Sequence, residues 1–385
     1  MSTTRVVLLL TTALTLAASG IPSAANSTAT MGVTPVFKHI GKLAFGPDDV
    51  IFAADGQDVS ITAMHLAEQM ASGVSGTKDI PGIDQKIAAL LGIDASKLLI
   101  TDMVVDPKTR NTYLSAMRGL GADAMPALLR VDGAGTIEVI SLDQVKYSRI
   151  GVPNPPPAET PLVLSDGRSI PVPNYPDGVD PQGLMGVQTI THMAFVDGQL
   201  YVSGLSNEEF ASKMRVIPYP FKTADEGTSV EIYHGAHGAW ETRAPVYTFV
   251  PYDIEDEKHL IAGYLCTPLV KFPVEKLLDG QKMVGTTIAE LGNRNRPLDM
   301  VVYNKDGKDY LLMSNTSRGV MKISTEGFDS QKPITERVGD TAGVPYETIA
   351  TMTGVEQLDL LDDMHTVILA RTDSGALNLT KVPLP

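Results

Sequence analysis

The chain has 385 residues, of which 43% are hydrophobic, 6% aromatic and 20% charged, with 34 Gly and 26 Pro. This globular composition excludes a disordered or fibrous protein. Its 45 acidic and 31 basic residues leave a formal charge of -14, and such a surface repels phosphate backbones, so nucleic acid is not an expected partner. A single cysteine, Cys266, rules out an internal disulfide; set within an apolar strand, it reads as a buried small residue.

At the N-terminus, Arg5 precedes an apolar run from Val6 to Ala18, and Ser23-Ala24-Ala25 supplies small residues for cleavage before Asn26. The pattern predicts a signal peptide over residues 1–25 and hence a secreted or periplasmic protein, because the run falls short of the ~20 apolar residues of a membrane span. No later segment is long and apolar enough for a transmembrane helix. Residues 26–33 read as a flexible N-terminus and 34–385 as one domain.

Within that domain a unit recurs: a short apolar strand, a turn, a second apolar strand, a polar break and a third strand. The copies begin at Leu43-Ala44-Phe45, Asp102-Met103-Val104-Val105, His192-Met193-Ala194-Phe195, Tyr247-Thr248-Phe249-Val250, Asp299-Met300-Val301-Val302 and Leu358-Asp359-Leu360-Leu361. Turns such as Pro47-Asp48, Asp197-Gly198 and Asp306-Gly307 are hairpin chemistry. The rhythm predicts an all-β, six-bladed β-propeller, with seven blades as the rival count. Thr34-Pro35-Val36-Phe37-Lys38 is expected to close the ring as the fourth strand of the last blade.

This blade rhythm resembles the six-bladed secreted or periplasmic propellers, a group that includes NHL-type binding modules and gluconolactonase-like metal hydrolases. The resemblance spans about residues 34 to 385 and implies the fold; propellers host unrelated functions, and no catalytic motif is matched.

Insertions are expected at 67–98, 150–187 and 205–228. The first holds a short helix over 79–92, with Ile83, Ile87, Leu90 and Leu91 on one face and Gly92 as its cap, covering the side of the first blade. The second is a proline-rich arm with a hairpin at Asp166-Gly167. The third leaves the blade through a helix cap at Ser206 and the aromatic run Pro218-Tyr219-Pro220-Phe221.

No nucleotide loop, serine elbow or paired-cysteine motif is present. Function must come from residues that a propeller gathers on one face: the starts of first strands and the turns between second and third strands. The strand starts place Lys42, Asp102, His192, Thr248, Asp299 and Gln357 in a ring. Asp102, His192 and Asp299 could hold a divalent cation, calcium or zinc, or could close the channel through hydrogen bonds, and Lys42 opposes the metal reading. His234, His237 and Glu241 form a second candidate metal set, with their glycine-rich loop arguing against a rigid helix. Arg294, Asn295, Arg296, Asn315 and Arg318 flank the fifth copy, with Arg118 and Arg371 in equivalent turns elsewhere. Such forks and amides suit a small anion, or else pair with neighbouring acids.

Three functions follow: an exported, monomeric protein binding a small anionic molecule or an acidic partner segment; a metal-assisted, lactonase-like hydrolase; or a scaffold using the proline-rich arm. The sequence leaves open whether the chain is an enzyme.

Overall fold

The computed structural model describes residues 27–70, 73–119, 121, 124–160, 184–265 and 268–385. The predicted signal peptide, the hairpin at Asp166-Gly167 and Cys266 lie outside the described residues. Each repeat is an antiparallel meander, and six of them stand round one axis as the blades of a propeller. Numbered in chain order, the blades have inner strands at Ile40–Phe45, Leu98–Val105, His192–Val196, Val246–Ile254, Pro297–Lys305 and Val355–Leu360. No helix among the described residues is long and apolar enough to cross a membrane.

The second strands explain the apolar runs. Each is packed on both faces by neighbouring blades, so Val50–Asp55 is buried at every position and Thr112–Arg118 at all but its last. The hairpin turns use the expected chemistry: Asp197 and Gly198 take φ 52 and 78, and Asp306 and Gly307 take φ 54 and 77. Positive φ at both central residues gives a turn whose twist matches the strands it joins.

The order of blades round the axis differs from their order in the chain. The inner strand of blade 1 packs against those of blades 2 and 3, while that of blade 2 packs against blade 6. The ring therefore reads 2-1-3-4-5-6. Six apolar clusters, one at each seam, follow the same order, including one between blades 1 and 3 and one between blades 2 and 6. The cause is visible in blade 1, whose third strand, Ser60–His65, is joined by Lys146–Gly151 as the fourth. Blade 2 is thus inserted whole between two neighbouring strands of blade 1.

Several expectations are corrected. Residues 26–33 contain Ser27–Thr28, paired with Thr223–Ala224, and Thr30–Val33, which forms the outer edge of blade 1. Thr34–Lys38 does not close the ring: the chain turns at Thr34 (φ 65) and runs inward, burying Phe37 at the seam of blades 1 and 2. Blade 6 has three strands, and its edge is covered instead by the segment before the helix. Ile80 exchanges two backbone hydrogen bonds with Leu379 (2.8 and 3.0 Å), Asp79 accepts from Lys381 N and Asn378 accepts from Gly82 N. Because blade 2 sits beside blade 6, the chain entering blade 2 passes that edge.

The helix spans Ile83–Leu91 and ends at Gly92 (φ 71). It packs at the seam of blades 2 and 6 rather than on blade 1; Ile83 and Ile87 enter that core, and Leu90 is 50% exposed. In place of a loop leaving blade 3, Ser212–Pro218 is its third strand, paired along its whole length with Gln199–Leu205. The strand alternation there was masked by Lys213 and Arg215, both buried.

Candidate functional site

On the face where the inner strands begin, a funnel of about 920 Å³ opens over the central channel. Lys42 and Gln357 line it together with His39, Tyr247, Arg296, Asn315, Glu356 and Arg371. A recurrent device aims the channel residues. The strand register slips immediately before Leu43, Asp102, Thr248, Asp299 and Gln357, so five of the six inner strands carry an irregularity at the same level. Such a bulge turns one side chain out of the ladder toward the axis.

Three channel carboxylates stitch neighbouring blades together, at the seams of blades 1 and 2, 5 and 6, and 6 and 2. Asp102 accepts from Leu43 N of blade 1 at 2.7 Å, Asp299 from Leu358 N of blade 6 at 3.2 Å, and Asp359 from Val105 N of blade 2 at 2.7 Å. Hydroxyls repeat the pattern: Thr101 Oγ1 donates to Ile40 O, and Thr191 Oγ1 to Val246 O. The other Asp102 oxygen is 2.7 Å from Lys42 Nζ.

Electrostatics follow from burial. Burial pushes Asp299 up to about 8, Lys42 opposing and Asp102 reinforcing, so this carboxyl is largely neutral at pH 7. Asp359 is pushed up to about 6 by burial, against the backbone N–H groups of Val105 and Leu360. Burial lowers the Lys42 ammonium, but Asp102 and Asp299 outweigh it and leave the group above its usual value. His192 is driven down to about 3 by burial and Lys42, and is neutral. Asp102, His192 and Asp299 do not gather as metal ligands: among the described residues, the set of three whose ligand atoms fall within 4.8 Å of one another is His234, His237 and Glu241.

The arginine cluster divides. Arg296 and Asn315 face the funnel. The Arg296 guanidinium lies 5.6 Å from the centre of the Tyr247 ring, and no salt bridge among the described residues includes it. Arg318 is bound to Asp340 at 2.7 Å, and Arg371 to Glu356 at 2.5 and 3.0 Å. Asn295 is buried beneath the turn, where its side-chain oxygen accepts from Ser317 N. Arg294 takes φ 57, and its carbonyl accepts from Ser317 Oγ. Arg118 contacts Met125 Sδ at 3.1 Å and does not line the funnel.

Sequence reasoning missed His39 and Tyr247. His39 is 7% exposed, is held neutral by burial, and among the described residues has no protein partner at either ring nitrogen. Gln357 Oε1 is likewise without one. Nothing in the repeat pattern marks His39, because it precedes the apolar core of its strand; Tyr247 stands next to a ring position and could have been found there.

His234, His237 and Glu241 lie on a hairpin beyond the end of the fourth strand of blade 3, away from the channel. His234 ends Thr228–His234, and Glu241 ends the returning strand Ala239–Glu241.

No protein-family model matches the sequence, and no curated protein matches it. Solved structures similar to it include a glucose dehydrogenase, at 10% identity and a TM-score of 0.36 over 92% of this chain and 99% of that one. The PQQ-bound aldose sugar dehydrogenase of Streptomyces coelicolor gives 10% identity and a TM-score of 0.28 over 92% and 97%. YCF48 from Cyanidioschyzon merolae gives 10% and 0.31 over 93% and 88%. At this distance the chemistry has to be read from the chain's own residues.

Proposed function

We propose that the chain is an exported binding protein whose funnel captures a small anionic molecule. The observation that carries this reading is Arg296: a guanidinium facing the funnel with no carboxylate partner among the described residues, in a protein of charge -14. Around it the fixed charges largely cancel. Lys42 is matched by Asp102, Arg371 by Glu356, and Asp299 is mostly protonated at neutral pH. The Arg296 charge is therefore left over in the funnel, whose lining also offers Asn315 and His39 as neutral hydrogen-bonding groups. A cavity of about 920 Å³ is within the usual size of small-molecule sites. The apolar run Val6 to Ala18 with its small-residue cleavage pattern supports export.

The test is calorimetric titration of the purified protein with citrate, gluconate and inorganic phosphate. Arg296→Ala is expected to weaken the best of these by ~10–100-fold, the worth of one charge-assisted hydrogen-bonding group. Arg318→Ala, whose charge is already matched by Asp340, is expected to change affinity by less than ~2-fold. Equal losses in both variants, or no binding of any probe, would overturn the reading.

A further inference from the structure

The hairpin of blade 3 carries a cluster that the funnel does not use. His234 Nδ1 is 3.0 Å and His237 Nδ1 2.5 Å from the same oxygen, Glu241 Oε1. The two imidazole rings lie 4.0 Å apart, centre to centre. The glycines of Gly235-Ala236-His237-Gly238 do not loosen this arrangement. Gly238 N donates to His234 O at 2.8 Å, closing a single helix-like turn that sets residues three apart on one side. The turn is tied down on both sides, by Gly235 N to Glu290 Oε1 at 2.6 Å and by Val338 N to Gly235 O at 3.0 Å.

Hydrogen bonding within the cluster does not account for it. His234 is 2% exposed, yet among the described residues neither of its ring nitrogens has an aligned hydrogen-bond partner. Glu290 Oε2, 3.8 Å from His234 Nε2, is also buried without one. A buried imidazole and a buried carboxylate left in this way are costly. One cation between the three ligand atoms would give His234 Nδ1 its missing partner. Metal-bound at Nδ1, His234 would carry its proton on Nε2 and present it to Glu290, the usual arrangement of a carboxylate behind a metal-bound histidine.

We propose that His234, His237 and Glu241 bind a zinc-class divalent ion, with Glu290 orienting His234 from behind. Two nitrogens and one carboxylate oxygen suit zinc and its transition-metal neighbours over calcium or magnesium. Ligand atoms on a tetrahedral ion at 2.0–2.1 Å stand ~3.3 Å apart, so seating the ion requires the Glu241 carboxylate to swing slightly away from both rings. His237 is 52% exposed on its side chain and Glu241 23%, so a fourth position opens to solvent. The site lies outside the funnel and is independent of the anion-binding reading.

The experiment is zinc titration of the chelator-stripped, purified protein, followed by cobalt substitution. The expected result is one zinc per chain and tetrahedral cobalt absorption bands. His237→Ala, a change at a half-exposed side chain, is expected to abolish both while leaving the circular dichroism spectrum unchanged. Glu290→Gln is expected to weaken zinc by ~10–100-fold without removing it. Wild-type protein that takes up no zinc overturns the proposal. So does zinc that survives His237→Ala but leaves with Asp102→Asn, which would put the ion in the channel. Asp102 is the ion-pair partner of the funnel residue Lys42, so that arm also separates the two sites.

Discussion

Asp299 offers the sharpest test of the channel electrostatics. Its side chain is almost wholly buried, between the blade 5 strand that carries it and Leu358 of blade 6. The native carboxyl holds its proton up to about pH 8, whereas the unfolded one releases it near the ordinary value of 3.8. Between those limits the folded state binds more protons than the unfolded state, so stability must fall as pH rises. The contribution is whole below pH ~4 and gone above pH ~8. A gap of about four pH units, at ~1.4 kcal/mol for each, makes the loss on the order of 5 kcal/mol. Asp299→Asn keeps the shape and is neutral throughout, at the cost of turning one acceptor into a donor, about 1 kcal/mol. Urea unfolding of both proteins from pH 5 to pH 9 gives the difference directly, with the remaining titrating groups common to both. The variant should lie within about 1 kcal/mol of wild type at pH 5 and be clearly more stable at pH 9. A difference that stays flat across this range, or that favours wild type increasingly as pH rises, refutes the buried neutral acid.

Two further perturbations probe the ring. Asp359→Ala leaves Val105 N without its 2.7 Å acceptor at the seam of blades 6 and 2; the expected cost is ~1–3 kcal/mol, with faster hydrogen exchange at Val105 and none at Leu43, where Asp102 still accepts. Gly354 lies at φ 65 on the funnel wall, and a Cβ there would stand 2.1 Å from Arg371 O; Gly354→Ala should lower the urea midpoint by an amount equivalent to ~2–4 kcal/mol, and an unchanged midpoint would show that the strand end gives way freely.

The chemistry of the ring was legible because it repeats. The Asp-Gly turns, the apolar second strands and the residue ahead of each inner strand all recur, and the structure places Lys42, Asp102, Asp299 and Gln357 at one level. The role of these residues was not legible. A carboxylate at a strand start reads equally as a ligand or as an acceptor for a neighbour's N–H, and only the bulge before it and the identity of the neighbouring blade decide. Arg318 and Arg371 illustrate the same limit from the other side. The sequence grouped them with Arg296 as candidate anion ligands on one face, but the partners that neutralise them, Asp340 and Glu356, come from a distant loop and a different strand. What separates Arg296 is the absence of such a partner among the described residues, and no local pattern encodes that.

Blade order was beyond reach for a related reason. A repeat shows that units are alike, and says nothing of which unit stands beside which. The exchange of blades 1 and 2 is written in contacts with long loops: Ser60–His65 waits for Lys146–Gly151, and Ile80 for Leu379. Loop-closure entropy grows only slowly with length, so the native state bears such pairings at little extra cost. Folding rate is more sensitive, because non-local pairs must be brought together before they are rewarded. Blade 1 cannot gain its fourth strand until blade 2 has been traversed, and the edge of blade 6 is covered by a segment from between the first two blades. The order 2-1-3-4-5-6 therefore ties the first third of the chain to its last strand. Closure comes from side-by-side stitches, with Asp102, Asp299 and Asp359 each reaching the next blade, and from an internal segment lying on the C-terminal strand. Lys42, Thr101 and Thr191 line the funnel and are themselves bonded across blade seams, Lys42 to Asp102, Thr101 to Ile40 O and Thr191 to Val246 O, so part of the geometry presented to a ligand is set by closure itself.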